Sequence, residues 1–192
     1  MKKLRPRYGI WAVFGNHDYY DYGFVDGVLH NFPGQTFPLK KNRIELFKDE
    51  MERAGIQVLR NETKEVLVEG APFLIHGLDD STTGHANIRE TMKNFDPRKV
   101  NLLLTHTVDV FLDIGEGEID VSFSGHSHGG QVRLPFIGPI LTHTRLGRPY
   151  ASGICNIQGA VCSISRGMSA GRFTRIRLLC PPEAILLTVQ GL

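Results

Sequence analysis

The 192-residue chain is 41% hydrophobic and 22% charged, a balance that supports one globular domain over residues 1–192 and is too short for two full ones. Its formal net charge of +2 gives no strong nucleic-acid signal and is too small to argue for an anionic membrane, since electrostatic binding of either kind calls for a dense basic patch. Three cysteines, Cys155, Cys162 and Cys180, lack C-x-x-C spacing and are expected to be reduced core thiols.

Met1-Lys2-Lys3 resembles the start of a signal peptide, but the apolar stretch 10–14 is too short for one. No segment approaches the ~20 apolar residues of a membrane span, so the chain as written reads as soluble. Residues 8–14 form a β-rich apolar run ending at Gly15, expected to be a buried strand delivering Asn16-His17-Asp18 to the loop at its carboxyl end. That is where open α/β sheets place their chemistry. Residues 19–39, rich in Gly, Pro and aromatics, read as a long loop whose Phe24, Phe32 and Phe37 either fill a small core of its own or contact an acyl chain.

Ile44, Phe47, Met51 and Ala54 give 42–54 a helical apolar face, with Gly55 as terminator. Short strands are expected at 56–59, 65–68 and 72–75, and a helix over 86–95 closed by Asp96-Pro97. Residues 100–104 read as a buried strand ending in Thr105-His106. Residues 119–123 read as another, ending in Ser124-Gly125-His126-Ser127-His128-Gly129-Gly130. From Gln131 onward, apolar runs separated by Gly and Pro suggest antiparallel strands, the last two at 175–179 and 184–189. The cluster Arg166, Arg172, Arg175 and Arg177 is interleaved with apolar residues and reads as a solvated strand face.

Three strand ends therefore carry metal-ligand types: Asn16-His17, His106, and His126 with His128. Side chains two apart on an extended segment face the same way, which groups His126 and His128. Imidazoles and an amide oxygen with no thiolate nearby suit Zn, Fe, Mn or Ni in a site with open positions. His30, His76, His85 and His143 match no ligand motif and read as surface or loop residues, with His143 nearest the metal loop. Asp79 and Asp80 read as turn formers bordering the pocket.

Gly15-Asn16-His17-Asp18, Thr105-His106 and Gly125-His126-Ser127-His128-Gly129-Gly130-Gln131 resemble, in order, the later motifs of the calcineurin-like metallophosphoesterases. The closing Ser165-Arg166-Gly167 and Pro181-Pro182-Glu183 resemble a bacterial subfamily of membrane-associated phosphohydrolases. The resemblance implies an α/β fold, a four-layer α/β/β/α sandwich with mixed sheets, and two divalent metal ions. It implies Asn16, His106 and His126 as ligands of the second ion and His128 as a ligand of the first. His17 would act on the phosphoryl group or the leaving oxygen, with Asp18 orienting its ring. A metal-bridged hydroxide would attack phosphorus in a phosphodiester, pyrophosphate or phosphomonoester, of a lipid or nucleotide-sugar at or near a membrane. A nuclease, a cyclic-nucleotide phosphodiesterase and a metal-poor interaction module are the alternatives.

The family's first motifs, Asp-x-His and Gly-Asp-x-x-Asp, belong ahead of Gly15, where this sequence has fourteen residues with neither Asp nor His. The expectation is an amino-terminally truncated domain lacking its first strands, with little activity alone and apolar sheet surface left uncovered.

Overall fold

The computed structural model describes residues 5–22, 39–169 and 176–189. Strand β1 (Ile10–Ala12) leads through Phe14-Gly15 into a single helical turn, α1 (Asn16–Tyr19). β2 (Tyr20–Asp21) and β3 (Lys40–Lys41) pair antiparallel after it. The helical face anticipated around Ile44 and Met51 forms α2 (Ile44–Arg53), and Gly55, at φ 83°, turns the chain into β4 (Ile56–Val58). β4 pairs parallel with β1, while Ile44 and Met51 pack against a small core of Phe14, Tyr19 and Val58. Phe47 is 41% exposed yet stacks on Phe14 at 5.8 Å, so it too belongs to the stripe the sequence period suggests.

The next strands, β5 (Glu62–Val68) and β6 (Ala71–Gly77), are longer than their apolar stretches. Their two-residue turn, Glu69-Gly70, has both residues at positive φ, the backbone twist that tight hairpins favour. Helix α3 (Ile88–Thr91), capped by the Asn87 side chain, continues as a 3-10 turn over Met92–Asn94. It precedes β7 (Val100–Leu104) and β8 (Val121–Ser124). After the short hairpin β9 (Arg133–Leu134) and β10 (Gly138–Pro139), the chain closes a second antiparallel pair, β11 (Gly153–Ile157) and β12 (Ala160–Ile164).

Six strands form one mixed sheet in the order β11-β12-β8-β7-β6-β5, parallel at its centre and antiparallel at both edges. Alternation along β7 sends Leu103 into a core with Leu78, Val108, Phe111, Cys162 and Ile164, covered by α3 and the 3-10 segment Val108–Leu112. Leu102 and Leu104 face the other way, toward Trp11 of β1. With α2 outside β4, the layers run α/β/β/α. Gly77 permits the β4 layer to close in: a Cβ there would lie 2.0 Å from Leu59 Cβ.

The β1–β4 layer is narrow. Among the described residues β1 pairs with β4 alone, and β1 is half-buried instead of fully buried. A cavity of about 250 Å³ separates Trp11 from Ile75, Leu102, Leu104 and Phe123. The strand anticipated at 184–189 is not formed. Pro181-Pro182 removes two backbone donors ahead of it, and Glu183 is held by Arg166. Leu178 makes a single bridge to Val132. Phe24, Phe32, Phe37, His30, Arg172 and Arg175 lie outside the described residues.

Candidate metal centre

Strands β1, β7 and β8 end on the same side of the fold, and their following residues converge. His106 Nε2 lies 3.0 Å from Asn16 Oδ1 and 2.9 Å from His126 Nδ1. The His106 and His126 rings meet edge to face at 4.7 Å. One ring nitrogen carries at most one proton, so hydrogen bonding serves both neighbours only by sharing it. A single cation accepting all three lone pairs would serve them fully. Ligand atoms about 2.1 Å from a metal and at right angles to one another sit about 3 Å apart, which is the separation found here.

The backbone enforces this convergence. Gly15 is buried with ordinary extended geometry, but a Cβ there would lie 2.4 Å from the His106 ring, so glycine is required sterically. Asp18 Oδ2 accepts the Gly15 N–H at 2.8 Å and thereby fixes the turn carrying Asn16 and His17. The His17 ring is exposed and packs edge-on against Tyr22 at 4.8 Å. Tyr22 is buried, and the Asn16 side chain hydrogen-bonds to it, which ties the amide's orientation to a core aromatic.

The histidine loop is held in an unusual conformation. His126, His128, Gly129, Gly130 and Gln131 all have positive φ, between 49° and 80°. Non-glycine residues adopt this region at a cost and persist there only when surrounding contacts impose it. Cys180 Sγ faces the His128 carbonyl at 3.3 Å, Arg177 Nη1 donates to the same oxygen at 3.4 Å, and Arg133 Nη1 donates to the Gly129 carbonyl at 3.1 Å. Ser127 Oγ donates to the Ala151 carbonyl at 2.5 Å. A Cβ on Gly129 would collide with Cys180 Sγ and Arg166 Cγ.

Electrostatics keep the imidazoles neutral, the form that binds metal. Burial, then neighbouring His106 and His143, holds His126 down to about 4. Burial likewise lowers His106, against the opposing pull of Asp80 and Asp18, and lowers His128, where Arg177 adds to the effect. The buried Asp80 accepts from Thr82 Oγ1 and from the Thr83 backbone and hydroxyl, forming the expected turn. Asp79 departs from that expectation: it accepts from Tyr19 Oη at 2.6 Å and Arg60 Nε at 3.0 Å.

The remaining histidines divide. His76 is a core residue, wholly buried on β6 between Thr63 Oγ1 and Asn101 Oδ1, and not a surface residue as its sequence context suggests. His85 stacks on Tyr19 at 3.8 Å, and His143 lies 6.3 Å from the His126 ring. Among the described residues, no three His, Cys, Asp or Glu side chains converge as a metal-holding group; the cluster at His106 joins two imidazoles and the Asn16 amide.

Known proteins give an independent comparison. The chain is 30% identical over 198 residues to an uncharacterized metallophosphoesterase of Aquifex aeolicus, aligning over its whole length with 64% of that protein. It is 28% identical over 192 residues to the uncharacterized metallophosphoesterase YkuE of Bacillus subtilis, again over its whole length and 59% of the relative. The chain belongs to the calcineurin-like metallophosphoesterase superfamily. Another relative of this metallophosphoesterase chain, 25% identical over 96% of its length, is the UDP-2,3-diacylglucosamine pyrophosphatase LpxG of Chlamydia muridarum, of which 65% is covered. The chain thus spans about three fifths of the length of these relatives. No family model matches it, and no solved structure does. No helix among the described residues is long and apolar enough to cross a membrane.

Proposed function

We propose that this chain supplies the Asn16, His106 and His126 half of a two-ion, metal-dependent phosphoester hydrolase, with His128 a ligand of the other ion. The observation that carries the reading is the meeting of Asn16 Oδ1 and His126 Nδ1 at one nitrogen of His106. Bound divalent ions of the Mn, Zn, Fe or Ni class would supply Lewis acidity toward phosphoryl oxygens and make water nucleophilic at neutral pH. His17, exposed and next in sequence to Asn16, would donate a proton to the leaving oxygen; its contact with Tyr22 and the Asp18 bond to the Gly15 N–H support this role. The substrate class is a phosphoester or phosphoanhydride. The likeness to a pyrophosphatase named for a diacylated nucleotide-sugar favours an amphiphilic member of that class.

Calorimetric titration with Mn²⁺, alongside hydrolysis of a chromogenic phosphodiester, tests the reading in wild type and His126→Ala. Saturable binding of about one ion per chain, lost in the variant, supports it; little turnover is expected from the chain by itself. Wild type that binds no Mn²⁺ overturns it. That result would favour a metal-poor interaction module.

A further inference from the structure

The net charge of +2 conceals a sharp segregation. Between Asp120 and Glu183 the sequence holds seven arginines and no Asp, Glu or Lys, leaving −5 on the remainder. Within this span, directly after the histidine loop, the β9–β10 hairpin carries Leu134-Pro135-Phe136-Ile137 at its tip and runs on into Ile140-Leu141. Phe136 is fully exposed, Ile137 and Leu141 are more than half exposed, and Ile140 is close to half. Apolar side chains at a hairpin tip present a convex wedge and offer no groove to receive another segment.

The wedge is rooted in the candidate metal centre. A Cβ on Gly130 would lie 2.4 Å from Pro139 Cβ and 2.5 Å from the Leu141 oxygen, so the returning strand packs on the histidine loop itself. Two residues beyond Leu141, the His143 ring approaches His126. Exposed cations flank the apolar tip: Arg145, in the same loop, and Arg148, which opens the 3-10 turn Arg148–Ala151 packed against β10. An apolar wedge beside cations, on a stretch of sequence free of carboxylates, with the nearby Asp109 carboxylate engaged by the Thr144 hydroxyl and the Arg145 N–H, matches the layering of an anionic bilayer, with acyl chains beneath a negative headgroup plane.

We propose that this hairpin docks the chain on an anionic phospholipid surface, with Phe136 and Ile137 entering the acyl boundary and Arg145 and Arg148 meeting headgroup phosphates. Docking in this way brings the mouth of the histidine cluster to the headgroup plane. The proposal does not depend on hydrolysis, because adsorption to a bilayer needs no metal.

The test is cosedimentation of the full chain, in EDTA, with vesicles of phosphatidylglycerol and phosphatidylcholine, against vesicles of phosphatidylcholine alone. Wild type is expected to partition onto the anionic vesicles. The Phe136→Ser, Ile137→Ser double variant should partition about tenfold less. The Arg145→Glu, Arg148→Glu variant should lose a comparable share, as should wild type in about 0.5 M salt. All of these side chains are exposed, and equal melting temperatures confirm that each variant is folded. Absence of vesicle binding overturns the proposal, as does binding that both variants retain. Light scattering provides a second refutation: a wild-type dimer that the tip variant converts to monomer would mean that a second copy covers the wedge.

Discussion

Cys180 Sγ lies 3.3 Å from the backbone oxygen of His128, joining the closing segment of the chain to the histidine loop across 52 residues. Arg177 converges on the same oxygen and also donates to the carbonyls of Cys180, Arg166, Gly167 and Ser169. The left-handed backbone at His128 is therefore held from outside the loop.

Removing that hold should loosen the histidine cluster. Arg177→Ala is expected to lower stability by about 2 kcal/mol, the scale for losing hydrogen bonds from a charged group, and to weaken Mn²⁺ binding in parallel. Arg177→Lys should recover part of the affinity because it keeps one cationic donor. Denaturant unfolding and calorimetric titration of both variants check this.

Gly15→Ala separates steric placement from ligand chemistry. It deletes no donor atom, and its backbone geometry suits alanine, yet its Cβ would overlap the His106 ring at 2.4 Å. The expected outcome is a loss of about 1–3 kcal/mol with weakened Mn²⁺ affinity, read in the same two experiments.

His76→Leu should behave in the opposite sense. Its ring sits between Thr63 and Asn101, and Asn101 Nδ2 is engaged with the Asp96 and Lys99 carbonyls, so Oδ1 loses its donor in the variant. Stability is expected to fall by about 1–3 kcal/mol while Mn²⁺ affinity is unchanged, a combination that distinguishes a core histidine from a ligand.

The pH dependence follows from Glu183. Arg166 binds its carboxylate and holds it below the ordinary glutamate range, so the folded state favours the ionised form. That contribution is complete above the unfolded value of about 4.3 and disappears as pH falls through the lower folded value. Glu183→Gln should melt below wild type at neutral pH, and the gap should narrow on acidification below about pH 4.3. Melting curves across that range give the sign directly.

The parts of the fold legible in the sequence were those in which a local pattern and a tertiary role agree. Residues 100–104 are apolar but for Asn101, carry a histidine just beyond their end, and form β7 with the boundaries expected. Chemical type marked Asn16, His106, His126 and His128, because amide and imidazole groups clustered after apolar strands are conspicuous. Tyr22, Arg177 and Cys180 carried no such mark. Their importance lies in contacts with Asn16 and His128, and neither the aromatic run around Tyr22 nor the apolar run before Pro181 has a period that reveals those partners. His76 was misread because Thr63 and Asn101, which satisfy it, are 13 and 25 residues away. The 184–189 segment had strand composition, but Pro181-Pro182 and the Glu183 contact to Arg166 direct it elsewhere.

The contact between Asn16 and His106 closes a loop of 90 residues. An unfolded chain holds those two side chains far apart almost all the time, so it offers an ion little beyond the neighbouring imidazoles of His126 and His128. A cation held by the whole cluster would therefore favour the native state, and by mass action would raise the unfolding free energy with the logarithm of its concentration. Metal supply would then act as a thermodynamic control on how much of the chain is folded, before any question of turnover arises.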